Sequence, residues 1–355
     1  MILDYSLSDT SAALARKILN RGTYNLQTIL DKVCGSAEFT YVACPDFSIS
    51  LRQRRLILGL PIGGYVKWRA DYRFFPLELD VNSCGVHMLK LPGDFDIEKF
   101  ESNLFQLKHD LDEQKLVLNN VLLKWNFSRR NHFINIYEDN SGNLFLVAHS
   151  SGETTLFDWD GLHKMFEVKH IDVNGRSLPY IQGNDVEQYY KITERENKFF
   201  FDRHTFIFDR LLGEGNYEVT YADQHFGMIS QGEILMGCSK LKPNTVFPLL
   251  TRPFSELLLA KATNPPNEIF TLTDGYALVP HGLGMTLPKD VIDITPCEKA
   301  DGYVYVSFAN GSMMLTDTLE YVGVTYRPID VIPEMGQRIG FEIIDKLKPL
   351  LFTKV

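Results

Sequence analysis

The stretch NHFINIYEDNSGNLFLVAHSSG, from Asn131 to Gly152, reads as a β-hairpin with a histidine near each end. His132 to Tyr137 and Leu144 to His149 are short apolar runs rich in β-formers, and Asp139-Asn140-Ser141-Gly142 between them is turn chemistry. A turn centred between Asn140 and Ser141 sets Ile136 opposite Phe145, Ile134 opposite Val147 and His132 opposite His149. Alternate residues share a face, so the two imidazoles should end an apolar stripe that points into the core. Their ring nitrogens need a partner there. Either a metal ion takes both, or they form a hydrogen-bonded structural pair.

The chain around this hairpin has 355 residues, 45% of them apolar and 12% aromatic, which suits one large domain or two ordinary ones. No uncharged apolar run reaches the roughly 18 residues of a membrane span. Asp4, Asp9, Arg16 and Lys17 interrupt the start where a signal peptide would need an apolar stretch, so a cytoplasmic protein with no membrane partner is expected. The five cysteines, Cys34, Cys44, Cys84, Cys238 and Cys297, show no C-x-x-C pairing and read as reduced thiols or ligands. A net charge of −9 repels polyanions, so any nucleic acid must meet a local basic patch or bound cations.

Along the chain, residues 1–38 read as an N-terminal helical segment of two short helices: one capped by Thr10 or Ser11 and stopping at Gly22, the next carrying Leu26, Ile29, Leu30 and Val33. Strand-like runs follow from Phe39 to Leu91. Residues 97–123 have helical spacing, with Phe100, Leu104, Leu107, Leu111 and Leu118 on one face. Residues 185–210 fit helix or strand, short strands fill 216–325, and Pro333 to Leu350 predicts a closing amphipathic helix with Ile339, Ile343, Ile344 and Leu347. The expected fold class is α+β: a single domain of mainly antiparallel sheets with helices outside.

Chemistry concentrates in four places. Cys84 ends an apolar strand in LDVNSCGVH, between Asp80 and His87, and thiolate, carboxylate and imidazole together suit zinc or manganese; Cys84 also fits as a small buried hydrophobe. The hairpin pair is the second. His281, in YALVPHGLGM, stands at a strand end before two glycines, and reads as nucleophile, ligand or turn histidine. His225 occupies a similar strand-to-turn setting in GNYEVTYADQHFG. The phosphate-loop, dinucleotide, zincin and nucleophile-elbow motifs are all missing from the sequence.

The order of these segments resembles the RtcB family of RNA ligases. ACPDFS (Ala43 to Ser48) is similar to the family's MPD-x-H, and PLELDVNSCG (Pro76 to Gly85) to its strand ending in D-x-x-C-G. NHFIN is similar to N-H-F-I-E, HSSG (His149 to Gly152) to H-S-G-S-R-G, and GNYEVTYADQHFG to the H-N-Y block. HGLGM (His281 to Met285) resembles H-G-A-G-R, and VTYRPID (Val324 to Asp330) resembles A-Y-K-D-I. The matches run collinearly from about residue 40 to the C-terminus.

What the resemblance implies is specific. The fold would be RtcB-like. Cys84, His132 and His149, with Asp80, would bind Mn²⁺ (or Zn²⁺), Asn131, Tyr326 and Arg327 would contact a nucleotide, and His281 would take GMP from GTP covalently. The partners would be RNA ends, those of tRNA included, joined 3′-phosphate to 5′-hydroxyl in splicing or repair. The sequence departs from the family pattern in several places: Val81 holds the aspartate position, Gly215 a ligand-histidine position, and Ser48, Asn135 and Met285 replace the histidine, glutamate and arginine of their motifs. With Asp80 misplaced and Gly215 offering no ligand, one ion rather than two is expected; FPLLTR (Phe247 to Arg252) replaces a glycine-rich nucleotide loop, so weak GTP affinity is expected. A catalytically degenerate homologue that binds RNA or a protein partner, and a mononuclear metal phosphoesterase, are the alternative readings.

Overall fold

Strand pairing explains how distant segments meet. In a computed structural model, which describes residues 1–35, 38–50, 53–69, 71, 73–79, 81, 83–127, 131–152, 165–252, 254–297, 299 and 303–353, the hairpin lies inside an 11-stranded sheet. From one edge the strands run Ile2–Asp4, Phe39–Ser48, Ile62–Trp68, Glu233–Met236, Glu218–Ser230 and Cys84–Lys90. They continue with Leu144–Ser150, Phe133–Glu138, Phe341–Leu351, Leu257–Ala262 and Val246–Leu249. Only the pairing of Ile2–Asp4 with the second strand is parallel. Helices pack outside. Leu14, Ile18 and Leu26 of helix Thr10–Cys34 share a core with Tyr41, Ala43 and Val66, while Phe100 and Leu104 of helix Ile97–Asp112 and Ile207 of helix Asn184–Leu212 cover Leu89, Ile134 and Leu146. The protein is α+β with mostly antiparallel sheets. Among the described residues, no helix is long and apolar enough to cross a membrane.

The hairpin closes one residue later than its turn residues suggest. Asp139 N–H donates to the Asn143 carbonyl at 3.0 Å, and Gly142, at φ 82°, completes a three-residue loop in the left-handed region. Phe133 therefore faces His149, Ile134 faces Ala148 and Tyr137 faces Phe145. A slip of one residue exchanges faces along a strand, so the expected His132–His149 cross-strand pair does not form within the ladder.

Three helix boundaries also differ from the sequence reading. Thr10–Cys34 is one helix capped by Asp9, and Gly22 lies inside it because a Cβ there would meet the Gly59 carbonyl oxygen at 2.0 Å. The helix that begins at Ile97 stops at Asp112; beyond it Val117–Leu118 and Val121–Leu122 pair about Asn119 and Asn120, both at positive φ. The closing helix is only Ile332–Ile339, ended by Gly340 at φ 95°, and Phe341–Leu351 is a strand. Its side chains alternate with period two, FEIIDKL, which hydrophobic content alone does not distinguish from a helical stripe. A strand, Ile2–Asp4, opens the segment read as helical.

One ion pair, buried on its arginine side, joins the first helix to the C-terminal part of the chain. Arg327, 1% exposed, donates from Nε to Asp9 Oδ2 at 2.5 Å and from Nη2 to the Phe47 carbonyl at 2.8 Å, and Asp9 also caps the first helix through the Ala12 amide at 2.7 Å. Burial pushes the Asp9 carboxyl up, but the Arg327 hydrogen bond and charge outweigh it and hold the group below 3.8. Its contribution is therefore present above the unfolded-state value and lost as pH falls through the lowered folded one. Asp9→Ala should cost about 3 kcal/mol in urea unfolding at neutral pH, since it removes a cap and leaves a buried guanidinium uncompensated. The difference from wild type should shrink below pH 3.8; a cost under about 1 kcal/mol would show that the pair does not hold the two segments together.

Candidate metal centre and cavity

Cys84 begins its strand with Val86 and Met88 on the same face. His149 lies directly across from Val86, which puts its ring on that face, one pair along from the thiol. Cys84 Sγ and His149 Nε2 are 3.1 Å apart. On the other side, the strand Glu218–Ser230 shifts register between Gln224 and Phe226, and His225 is the extra residue of that bulge. Its Nε2 comes within 3.2 Å of His149 Nε2. The three ligand atoms all lie within 4.8 Å of one another, and all three residues are buried. His132 stands one residue before its strand, outside the ladder's alternation, and brings Nε2 to 3.8 Å from Sγ.

Hydrogen bonds from the far ring nitrogens aim these rings. His149 Nδ1 lies 2.9 Å from the Asn131 carbonyl oxygen, and His132 Nδ1 lies 3.1 Å from the Asn126 carbonyl and 3.0 Å from Asn126 Oδ1. A carbonyl only accepts, so each Nδ1 carries the proton and each Nε2 turns a lone pair toward the thiol. His225 is held well below the ordinary histidine value by burial, reinforced by the neighbouring imidazoles of His281, His149 and His132, and so stays neutral. Around a tetrahedral ion with bonds of about 2.0–2.3 Å, ligand atoms sit roughly 3.3–3.6 Å apart. Separations of 3.1, 3.2 and 3.8 Å bracket that range, so the buried cysteine–histidine group could hold a metal ion.

Other expected residues fall elsewhere. His87 is an odd number of positions from Cys84, hence on the opposite face, where it meets His204 Nδ1 to Nδ1 at 2.7 Å; burial, with the Arg203 charge, lowers it to about 3. Asp80 lies outside the described residues. Gly215 occupies the turn before the Glu218–Ser230 strand, and the imidazole comes instead from His225, ten residues on in the same block. The only sequence sign of that role is a histidine inside a strand-like run, at DQHFG.

His281 follows the strand Ala277–Pro280, and its ring stacks on that of His225 with centroids 4.7 Å apart. Nδ1 donates to Asp46 Oδ2 at 2.9 Å and the Gly237 carbonyl at 2.6 Å, leaving the lone pair on Nε2. Burial pushes this group down, but the hydrogen bond and charge of Asp46, with the Gly237 carbonyl, raise it overall. The glycines after it serve the protein's own backbone rather than a ligand: a Cβ at Gly282 would meet the Leu250 carbonyl oxygen at 2.8 Å, and one at Gly284, φ 69°, the Asp46 carbonyl oxygen at 2.3 Å.

These groups border one cavity of about 620 Å³. Cys84, His132, His225 and His281 line it together with Asn131 and Tyr326, and Phe254 and Phe352 stand on its aromatic side. Arg327 does not line the cavity, because its guanidinium is spent on Asp9 and Phe47. The segment Phe247 to Arg252 enters as the strand Val246–Leu249, with Leu249 fully buried and Leu250 and Thr251 on the cavity wall. No protein-family model matches the chain, and no curated protein does.

Asn126 also donates from Nδ2 to Ser151 O and Oγ, both at 3.1 Å, so its amide is fixed before it meets His132. Asn126→Ala should weaken metal binding by about tenfold or more while the protein remains folded. Competition with a chromophoric chelator measures this, and an unchanged affinity would mean that His132 needs no such support.

Proposed function

We propose that the protein is a divergent, metal-dependent RNA-end-joining enzyme of the RtcB type, working through a nucleotide carried on His281. The observation that supports this reading is the meeting of Cys84, His132, His149, His225 and His281, drawn from distant segments, around one centre beside one cavity. Mn²⁺ or Zn²⁺ bound there would neutralise phosphate charge and orient an α-phosphate. His281 Nε2 then attacks that phosphorus and pyrophosphate leaves, while Asp46 holds the Nδ1 proton and balances the positive charge the ring acquires. The nucleotide passes to an RNA 3′-phosphate, and a 5′-hydroxyl displaces nucleoside monophosphate to form the joining diester. One observation favours a second reading, a non-catalytic binder of RNA or a protein: Leu250 and Thr251 present side chains where a glycine-rich cradle would offer backbone amides.

Incubation with radiolabelled GTP or ATP and Mn²⁺, followed by denaturing electrophoresis, separates the two. The enzyme reading expects an acid-labile, alkali-stable label that His281→Ala abolishes with metal content intact. Label on another residue, or surviving that substitution, would sink the mechanism, and no label with any nucleotide would leave the binder. Protonation removes the attacking lone pair, and the group's value is raised above 6.5. Labelling should therefore grow as pH rises through that raised value, and Asp46→Asn should move the profile to lower pH.

Calorimetric titration of the Mn²⁺-loaded protein with GTP should show weak binding or none, because Leu250 and Thr251 occupy the wall. Tight binding would overturn the placement of the nucleotide.

A further inference from the structure

The strand Phe39–Ser48 ends at the cavity, and Ser48 lines it with a side chain that is 0% exposed. Its hydroxyl has no hydrogen-bond partner. An unmatched buried hydroxyl destabilises a fold, and few survive without a reason. Arg55 lines the same cavity and is 5% exposed. Its Nε donates to the Leu79 carbonyl at 3.1 Å, and its guanidinium carbon stands 3.9 Å above the ring of Phe226. Phe226 is the residue paired with Cys84 across the sheet, which sets this cation beside the cysteine–histidine group. Ser50, also buried, adds a third polar side chain to the lining.

We infer that Ser48 and Arg55 form a seat for the oxyanion of a phosphoryl group, next to the Cys84 centre. The Arg55 cation supplies charge and the unpartnered Ser48 hydroxyl a donor, a pairing that suits the oxygens of a phosphate monoester or of free phosphate. The acidic side chain on the lining, Glu320, comes from a different element, the short helix Leu319–Val322. Ser48 supplies its hydroxyl where the family resemblance has a histidine, and Arg55 comes from the segment that leads from there to the strand Ile62–Trp68. The choice of a phosphoryl ligand rests on the metal-centre reading above; the residues of the seat do not.

Calorimetry with inorganic phosphate tests the seat, on the full chain with and without Mn²⁺, for wild type, Ser48→Ala and Arg55→Lys. Saturable binding is expected in the metal-loaded wild type, weakened about tenfold in each variant by loss of a bond to a charged ligand. Metal content should be unchanged. Ser48→Ala should keep or raise the melting temperature, because it deletes a hydroxyl that satisfies nothing in the fold. A drop in melting temperature with unaltered phosphate affinity would make Ser48 structural and overturn the seat. So would undiminished binding in both variants, or no saturable binding in either form. If the protein takes up no metal, weaker binding to the metal-free wild type that still falls in both variants sustains the seat while the metal reading fails. A nucleoside 3′-monophosphate that competes identifies the end of a larger ligand, and binding of phosphate alone identifies the free ion.

Discussion

Antiparallel pairing of the strand Cys84–Lys90 with a neighbour on each side is the constraint from which the rest of the site follows. One neighbour holds Val86 opposite His149, and the other sets Cys84 against Phe226 across a bulge that turns His225 inward. Because faces alternate, a slip of one residue on either side would send the imidazole to the far face and leave the thiol with apolar company. The register is held by the apolar side chains around it, Val86, Met88 and Val147 on one face and Leu89, Leu146 and Ala148 on the other. Packing far from the cysteine thus decides the chemistry beside it.

The same strands carry two polar systems back to back. On one face Cys84, His149 and His225 gather with their ligand atoms within 4.8 Å of one another. On the other, His87 and His204 meet in a phenylalanine-rich pocket, with Ser150 Oγ 2.7 Å from His204 Nε2 and Arg203 Nη2 2.7 Å from that oxygen. Arg203 also donates to the Ser151 carbonyl, which receives the Asn126 amide, and Asn126 in turn aims His132. Burial holds His87, His204 and His225 below the ordinary histidine value, and the bonds through Ser150, Ser151 and Asn126 run continuously from one cluster to the other.

Closure of the cavity depends on the two chain ends. Asp9 and Arg327 tie the first helix to the segment after the His281 turn, where Arg327 N–H donates to the Gly284 carbonyl at 3.2 Å. Thr353 N–H reaches Asn135 Oδ1 at 3.0 Å, and Phe352 beside it packs on Phe254, whose φ of 62° is strained for a phenylalanine. Elements that look peripheral in the chain order thereby shape the wall facing the cysteine–histidine group.

The sequence by itself determined the hairpin, the α+β class and the presence of Cys84, His132, His149 and His281 in strand-end settings, because alternation, turn residues and residue type are local properties. Helix ends at Gly340 and Asp112 and continuity through Gly22 were less legible: each turns on a close approach or a left-handed residue that composition only hints at. Tertiary structure alone decided the register, since a three-residue loop and a two-residue loop differ by one position yet exchange every face. It alone placed His225 with the thiol and His87 away from it, through a bulge and an odd spacing that act only once three strands are laid side by side. It also took Arg327 from the cavity, because a charge so deeply buried goes to the nearest carboxylate that can satisfy it, and that carboxylate, Asp9, lies near the other end of the chain.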